Sequence, residues 1–314
     1  MRVAVLDDYQ GVALSYGDWG GLDAEVEVFS DHLAGDDDVV ARLAPFEVVV
    51  AMRERTPFTR ARLERLENLR LLVTTGMRNA SIDLEAARDR GVVVCGTGSL
   101  GPPTAELAWG LILALTRSIP AEDARMHAGG WQHTIGPELA GHTLGLVGLG
   151  RLGGRMARIA QAFEMETLAW SQNLTPERAA EAGVEAVAKD ELFRRADVVS
   201  VHLVLSDRTR GLVGAPELAL MKPTAYLVNT SRGPIVDEAA LLDALHAGRI
   251  AGAGIDVYDT EPLPPQHPLR FAPNTVLTPH IGYVTTGTYE VFYREAVEDI
   301  AAWRAGAPVR MLTS

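Results

Sequence analysis

The segment TLGLVGLGRLGGRMARIAQAF, residues 143–163, joins an apolar run to an amphipathic helical pattern through a glycine-rich loop. The run 143–148 is apolar at nearly every position rather than at alternate ones. That reads as a strand buried on both faces of a parallel sheet. Gly148, Gly150 and Gly153 then follow in the spacing GxGxxG. In a strand–loop–helix setting each glycine has its own physical reason. The first permits a tight turn, the second lets backbone approach a pyrophosphate, and the third lets the helix pack closely on the strand. The helix start offers its unpaired N–H groups to phosphate oxygens. The competing reading is a packing turn that binds nothing. The full strand–loop–helix–strand context, with the next strand starting near Glu166, favours a dinucleotide site.

Outward from this segment, short β-rich runs alternate with helical patterns. Strands are predicted over 2–6, 26–29, 47–52, 70–75 and 92–95, then 143–148, 166–170, 197–203, 225–230, 251–257 and 275–279. Helices are predicted over 59–67, 83–90, 152–163 and 237–248, the last ending at Gly248 as a helix C′ residue. This alternation specifies an α/β fold with parallel sheets. A length of 314 residues suggests about two domains. The break in organisation lies near GTGSLGPP, 96–103, after which one long helical pattern over 104–128 is interrupted by Pro120. We expect a first α/β domain of 1–98 completed by 286–314, and a dinucleotide domain of 99–285. A cleft between two such units is a usual place for a small ligand.

The charge balance excludes several classes. With 29 basic and 41 acidic residues the formal charge is −12, so binding to nucleic acid or to an anionic membrane is not expected. An anionic substrate would need a local cluster of arginines. No apolar run reaches the ~18 residues of a membrane helix, and MRVAVLDDYQ reads as a strand followed by acids rather than a signal peptide. A cytoplasmic protein is expected. The single cysteine, Cys95, sits in an apolar run and reads as a buried structural residue. The histidines at 127, 133, 142, 246 and 267 show no ligand spacing, so no metal is expected.

A glycine loop of this kind is normally followed, roughly 20 residues on, by an acid that grips the adenosine ribose 2′-hydroxyl. Here the end of the second strand carries Ser171, Gln172 and Asn173. Serine can still bond a hydroxyl, and it does not repel a 2′-phosphate as a carboxylate would. The usual selection against NADP is therefore missing, while no Arg or Lys stands at 171–174 to select for it. NADP and NAD both stay open, with NADP slightly favoured.

Three later segments place polar residues beyond strand ends: Arg232 in AYLVNTSRGPIVDE, Glu261 in GIDVYDTEPLPPQHPL and His280 in TVLTPHIGY. In a doubly wound sheet the carboxyl ends of the strands face the ligand crevice, so the three converge on one site. Together they suit one task. Arg holds a carboxylate by paired hydrogen bonds. His carries a proton near neutral pH, and Glu beside it favours the protonated form and fixes the ring.

These segments, with GLGRLG, ADVVSVHLVLSDRTRGLVG and MKPTAYLVN, resemble the D-isomer-specific 2-hydroxyacid dehydrogenase family, most clearly over 95–285. The resemblance implies two doubly wound parallel-sheet domains, a flavodoxin-like substrate domain and a Rossmann dinucleotide domain. It implies an NAD(P)-dependent oxidoreductase that moves hydride between nicotinamide and a small anionic 2-keto or 2-hydroxy acid. Arg232 would bind the substrate carboxylate and carbonyl, His280 would be the acid–base and Glu261 its partner. Arg151 and Leu152 would meet the pyrophosphate, Asp256 the nicotinamide carboxamide, and Thr230 and His202 would line the cofactor. The matching substrate loop is TTGMRNASIDL, 74–84, which gives Gly76, Met77 and Arg78, with Arg53 at a neighbouring strand end. Met77-Arg78-Asn79 and Tyr283 depart from the small residues that many members carry there. The helical arm 104–128, near Trp109 and Trp131, resembles the family's dimerisation element and implies a homodimer. The chain resembles two-domain glyoxylate or hydroxypyruvate reductases, or phosphoglycerate dehydrogenases without a regulatory domain. Other readings within reach of the resemblance are a non-catalytic dinucleotide-sensing corepressor and a phosphite-oxidising enzyme.

Overall fold

The computed structural model describes residues 1–313. The chain forms two compact units, one of Met1–Leu100 with the segment from Val284 onward, the other of Gly101–Tyr283. Each is built on a parallel sheet, as the alternating sequence requires.

The first unit carries β1 (Arg2–Val5), β2 (Glu25–Val28), β3 (Val48–Ala51), β4 (Leu71–Thr74) and β5 (Val93–Gly96), in the order β2-β1-β3-β4-β5. All four pairings are parallel. The central strands VVVA and LLVT are buried at every position, whereas the edge strand EVEV is not. Val49, Leu72, Leu43, Phe46, Phe58 and Leu63 form the core on one face. The opposite edge is covered by the chain's last turn. Gly96 N donates to Arg310 O at 3.0 Å and Leu312 N to Val94 O at 2.8 Å, so β5 does not present an open ladder. Cys95 is fully buried there, and burial pushes its thiol up to about 12.

The long helix Thr286–Arg304 belongs to this unit and buries Phe292, Tyr293, Ala296 and Ile300. It also buries an acid. Asp299 is 0% exposed, and its Oδ1 accepts from Arg310 Nε at 2.9 Å. Its Oδ2 has no hydrogen-bond partner among the described residues. Burial pushes the carboxyl up to about 7, against the pull of Arg310.

The second unit carries β6 (Thr143–Val147), β7 (Glu166–Trp170), β8 (Glu185–Ala186), β9 (Val198–Val201), β10 (Tyr226–Asn229), β11 (Gly252–Ile255) and β12 (Thr275–Leu277). The order is β12-β11-β10-β9-β6-β7-β8, all parallel. The chain winds outward from β6 in one direction, then returns to β9 on its other side and winds away. The crevice at the carboxyl ends of β6 and β9 is therefore the topological switch point, where ligands of such sheets bind. The helical pattern over 104–128 forms two helices, Pro103–Thr116 and Ile119–His127. Ser118, at φ 50°, turns the chain between them, ahead of Pro120. The first helix buries Ala105, Ala108, Trp109, Leu111, Ile112 and Leu115; the second buries nothing. No helix among the described residues is long and apolar enough to cross a membrane.

Asp299 gives a pH test of the first unit. Its folded-state carboxyl holds a proton up to about pH 7, against an ordinary value of 3.8. Between those values the folded chain binds more protons than the unfolded one, so this residue's contribution to stability falls as pH rises across the window. Asp299→Asn, which cannot ionise, is expected to lose less thermal stability than the native chain between pH 5 and pH 7.5. Melting curves of both proteins at the two pH values check this; a gap between them that does not change with pH would refute it.

Candidate active site

The glycine loop leaves β6 and enters the helix Arg151–Ala162, with Gly150 as its N-cap and no side chain capping it. Gly148 adopts φ 109°, and a Cβ there would stand 2.7 Å from the His202 carbonyl oxygen beyond β9. A Cβ on Gly153 would stand 2.1 Å from the Gly148 carbonyl oxygen. Both glycines are demanded by the protein's own packing. Gly150 is different, since a Cβ there would meet nothing within 4 Å. The backbone at Gly150 faces open space, at the start of a helix whose first N–H groups need acceptors.

Two buried polar atoms lie on loops leaving the same edge of the sheet. Thr230 Oγ1, just beyond β10, has no hydrogen-bond partner among the described residues, and neither has His202 Nδ1, just beyond β9. His202 bonds Ser200 Oγ through Nε2 at 2.8 Å, and burial pushes its imidazole down to about 4, so the ring is neutral. An open glycine cradle and two orphaned polar atoms fit a bound dinucleotide, which would supply the missing partners. Gly148 N donates to Trp170 O at 2.8 Å, which sets the loop beside the end of β7. Ser171 follows there, half-buried, with Gln172 and Asn173 exposed. Arg151 is exposed and Leu152 half-buried in the first helical turn.

Arg232 stands on a loop shaped by one side chain. Asn229, the last residue of β10, accepts from Ser231 N at 3.0 Å and donates through Nδ2 to Arg232 O at 2.9 Å. The next residue must be glycine, because a Cβ at 233 would fall 2.1 Å from the carbonyl carbon of Tyr258. The guanidinium is steadied by Nη1 donating to Ser231 O at 2.7 Å.

His280 and Glu261 meet directly: His280 Nδ1 lies 2.5 Å from Glu261 Oε2. Both side chains are mostly buried, at 16% and 20% exposure, so water screens the pair weakly. The other Glu261 oxygen, Oε1, accepts from Tyr258 N at 3.0 Å, which fixes the carboxylate. An ionised Glu261 accepts from Nδ1–H, which fixes the tautomer and the orientation of the ring.

The backbone at His280 is left-handed, with φ 54°. For a residue with a Cβ this is costly and needs support. Asp256, just beyond β11, provides it. Its buried carboxylate accepts from Thr278 Oγ1 at 2.7 Å, Ile281 N at 2.8 Å and Gly282 N at 2.9 Å. Burial pushes this carboxyl above its ordinary range, while the three donors favour the ionised form. The structure thus gives Asp256 a role in holding the His280 loop, which the motif did not reveal. Tyr258, whose hydroxyl lies 2.9 Å from Thr278 O, is a second support that sequence reasoning missed. Its only sequence signal was its place in GIDVYDTEP.

In the first unit, Arg53 and Gly76 lie just beyond β3 and β4. Arg53 has φ 52°, its N–H donates to Thr75 Oγ1 at 2.9 Å, and its Nη1 donates to Thr75 O at 3.0 Å. Gly76 adopts φ 96°, a conformation that favours glycine, and its lack of a Cβ leaves room for Arg53 Nη1, which would stand 1.8 Å from one. Gly76 N already donates to Thr97 Oγ1 at 2.9 Å. Met77 and Arg78 are exposed. A separate cavity of about 350 Å³ lies at the amino-terminal edge of the second sheet, lined among others by His142, Asp197 and Tyr226. None of the candidate site residues named above borders it. No group of His, Cys, Asp and Glu among the described residues could hold a metal ion.

Comparison with known proteins agrees with this geometry. Residues 109–282 match the family model described as D-isomer specific 2-hydroxyacid dehydrogenase, NAD binding domain. The D-3-phosphoglycerate dehydrogenase of Archaeoglobus fulgidus is 36% identical over 313 residues, which cover 99% of this chain and 58% of that protein. The chain thus spans less than two thirds of that relative's length. A glyoxylate reductase of Aeropyrum pernix is 40% identical over 78% of this chain and 76% of its own. The crystal structure of phosphoglycerate oxidoreductase from Vibrio cholerae superposes with a TM-score of 0.94 at 39% identity, covering 98% of this chain and all of that one. The chain belongs to the D-isomer specific 2-hydroxyacid dehydrogenase family, and its second unit is a nicotinamide-dinucleotide-binding domain.

The contrast among the glycines can be tested. Gly150→Ala is expected to fold with a stability within about 1 kcal/mol of the native chain, the cost of Ala in place of Gly at a helix N-cap whose new methyl meets no neighbour. It is expected to bind dinucleotide at least about tenfold more weakly, since the new methyl occupies the approach to the pyrophosphate. Denaturant titration and fluorescence titration with NADH and NADPH read the two effects separately. Unchanged affinity would show that the open space at Gly150 is not the phosphate cradle.

Proposed function

We propose that this chain reduces a small anionic 2-keto acid to the D-2-hydroxy acid, and runs the reverse oxidation, with Arg232, Glu261 and His280 as its working groups. The observation that carries the proposal is the 2.5 Å contact between His280 Nδ1 and Glu261 Oε2, made in the unit that holds the glycine loop. Arg232 binds the substrate carboxylate with a planar, permanently charged fork. A bound reduced nicotinamide supplies hydride to the keto carbon. As charge develops on the keto oxygen, the proton on His280 Nε2 passes to it, and Glu261 stabilises and orients the ring throughout. In oxidation Nε2 takes the hydroxyl proton back. Thr230 and His202 complete the cofactor face, and Arg53, with the Gly76–Arg78 loop, serves the substrate side.

The cofactor reading favours NADP slightly. Ser171 stands where a carboxylate would repel the 2′-phosphate, with Gln172 beside it as a donor. A homodimer is the expected assembly. Ile119, Met126, Trp131 and Ile135 are all exposed on the segment after the helix Pro103–Thr116, an apolar surface of the kind that associating proteins cover.

Three measurements test this. Oxidation of NADH and NADPH with glyoxylate, hydroxypyruvate, pyruvate and a bulkier 2-keto acid is expected to show turnover with at least one pair. His280→Ala is expected to lose ~10²–10⁴-fold in rate, the usual loss for a general acid, with dinucleotide affinity retained. Native-like turnover in the variant would end the assignment. Ser171→Asp is expected to shift the ratio of kcat/KM for NADPH over NADH by about tenfold or more toward NADH, because it restores the ribose-gripping carboxylate. A ratio that does not move would place 2′-group recognition elsewhere.

A further inference from the structure

Beyond Glu261, His280 has a second neighbour that the acid–base reading leaves unused. The ring of Tyr283 stands edge-on to the imidazole, with centroids 5.7 Å apart and an interplanar angle of 74°. This is a favoured geometry for two aromatic rings. We propose that Tyr283 is a specificity-determining and positioning residue: it walls one flank of His280 and limits the substrate to 2-keto acids with short, unbranched groups on C2. The proposal deepens the function given above and rests on it.

Three observations carry it. The first is proximity. A keto oxygen that takes the His280 proton must lie ~2.7–3.2 Å from Nε2. The two substituents of C2 then fan out beside the imidazole, and Arg232 claims the carboxylate. The remaining substituent shares the neighbourhood of His280 with a ring centred only 5.7 Å from the imidazole centre.

The second is rigidity. Tyr283 follows Ile281 and Gly282, whose N–H groups are both held by the Asp256 carboxylate. Gly282 O also accepts from Thr104 Oγ1 at 3.0 Å. A Cβ on Gly282 would lie 3.1 Å from Asp256 Oδ2, so the chain there is closely packed. The clamp that fixes the left-handed turn at His280 therefore fixes the origin of Tyr283 as well. The third is burial. Tyr283 is half-buried, so its ring is not a solvent side chain that can swing aside at no cost.

A ring in this place has two effects. It restrains rotation of the imidazole about its Cβ–Cγ bond, which keeps Nε2 on its target. It also excludes volume, and exclusion acts only on substrates large enough to reach it. That difference separates the proposal from a general structural role, which would depress all substrates alike.

The test compares the native chain with Tyr283→Phe, Tyr283→Leu and Tyr283→Ala. Each is assayed with glyoxylate, pyruvate, 4-methyl-2-oxopentanoate and phenylpyruvate, and with dinucleotide binding as the check on folding. The native chain is expected to favour the two small acids. In Tyr283→Ala the ratio of kcat/KM for phenylpyruvate over glyoxylate should rise at least about tenfold, chiefly through a lower KM for the bulky acid. Tyr283→Phe should keep the native ratio, and Tyr283→Leu should fall between. If glyoxylate turns over in the native chain but the ratio is unmoved in Tyr283→Ala and Tyr283→Leu, the proposal is overturned and the functional reading stands. A native chain that already uses phenylpyruvate as well as glyoxylate overturns it too. If the native chain binds dinucleotide yet reduces neither these four acids nor hydroxypyruvate, the functional reading falls and takes this proposal with it.

Discussion

Three donors converge on the buried carboxylate of Asp256: the Thr278 hydroxyl and the N–H groups of Ile281 and Gly282. A carboxylate taken out of water needs such partners, or it picks up a proton or the fold gives way. Here the need is met by the loop that carries the catalytic candidate. The consequence is a left-handed backbone at His280, which a residue with a Cβ does not adopt unaided. Asp256 itself is placed by β11, where Asp256 N continues the ladder to Asn229 O at 3.0 Å. The chain of cause runs from the sheet, through one buried acid, to the aim of an imidazole. Glu261 is set by a similar logic: Tyr258 N donates to its Oε1 and leaves Oε2 to meet His280.

The strands were legible because burial on both faces writes itself as continuous Val, Leu and Ile. VVVA, LLVT and TLGLV leave little room for another reading. Their carboxyl ends were read one or two residues too long. The run over 197–203 stops at Val201, 225–230 at Asn229 and 251–257 at Ile255. The residues lost from the strands include His202, Thr230 and Asp256, where the ladder gives way to loops that use their side chains. A hydropathy pattern cannot see that change, because pairing ends there while burial does not. β8 was missed for the opposite reason, since two residues, one of them charged, make no apolar run. The division of the helical pattern over 104–128 turns on Ser118, which takes φ 50° without being glycine, so only Pro120 hinted at it.

The candidate site was readable to the extent that its residues sit in spaced motifs at strand ends. Arg232, Glu261 and His280 could be named because parallel sheets direct their carboxyl ends to one edge. What holds them could not be named. Asn229 shaping the Arg232 loop, Tyr258 steadying Glu261 and Thr75 anchoring Arg53 are ordinary residues in the sequence. Their roles come from hydrogen bonds that depend on distances of a fraction of an ångström, and these exist only once the fold has formed. The same holds for Tyr283, which the sequence shows as a departure from small residues and the structure shows as a ring against His280.

The glycines show how geometry separates structural demand from functional demand where a motif cannot. Read as GxGxxG, Gly148, Gly150 and Gly153 look equivalent. A side chain at Gly153 would strike the loop's own carbonyl, and one at Gly148 would strike the carbonyl beyond β9. Those two would be required of any tight strand-to-helix turn packed against a neighbouring strand, whether or not it binds anything. Gly76 is required by its own backbone, at φ 96°, and its smallness also leaves room for the Arg53 guanidinium. At Gly150 no atom of the protein objects. Apart from the preference for Gly over Ala at a helix N-cap, its smallness satisfies nothing inside the folded chain, which leaves a reason outside it. In a loop that opens a helix with uncapped N–H groups, that reason is an anion drawn close to the backbone.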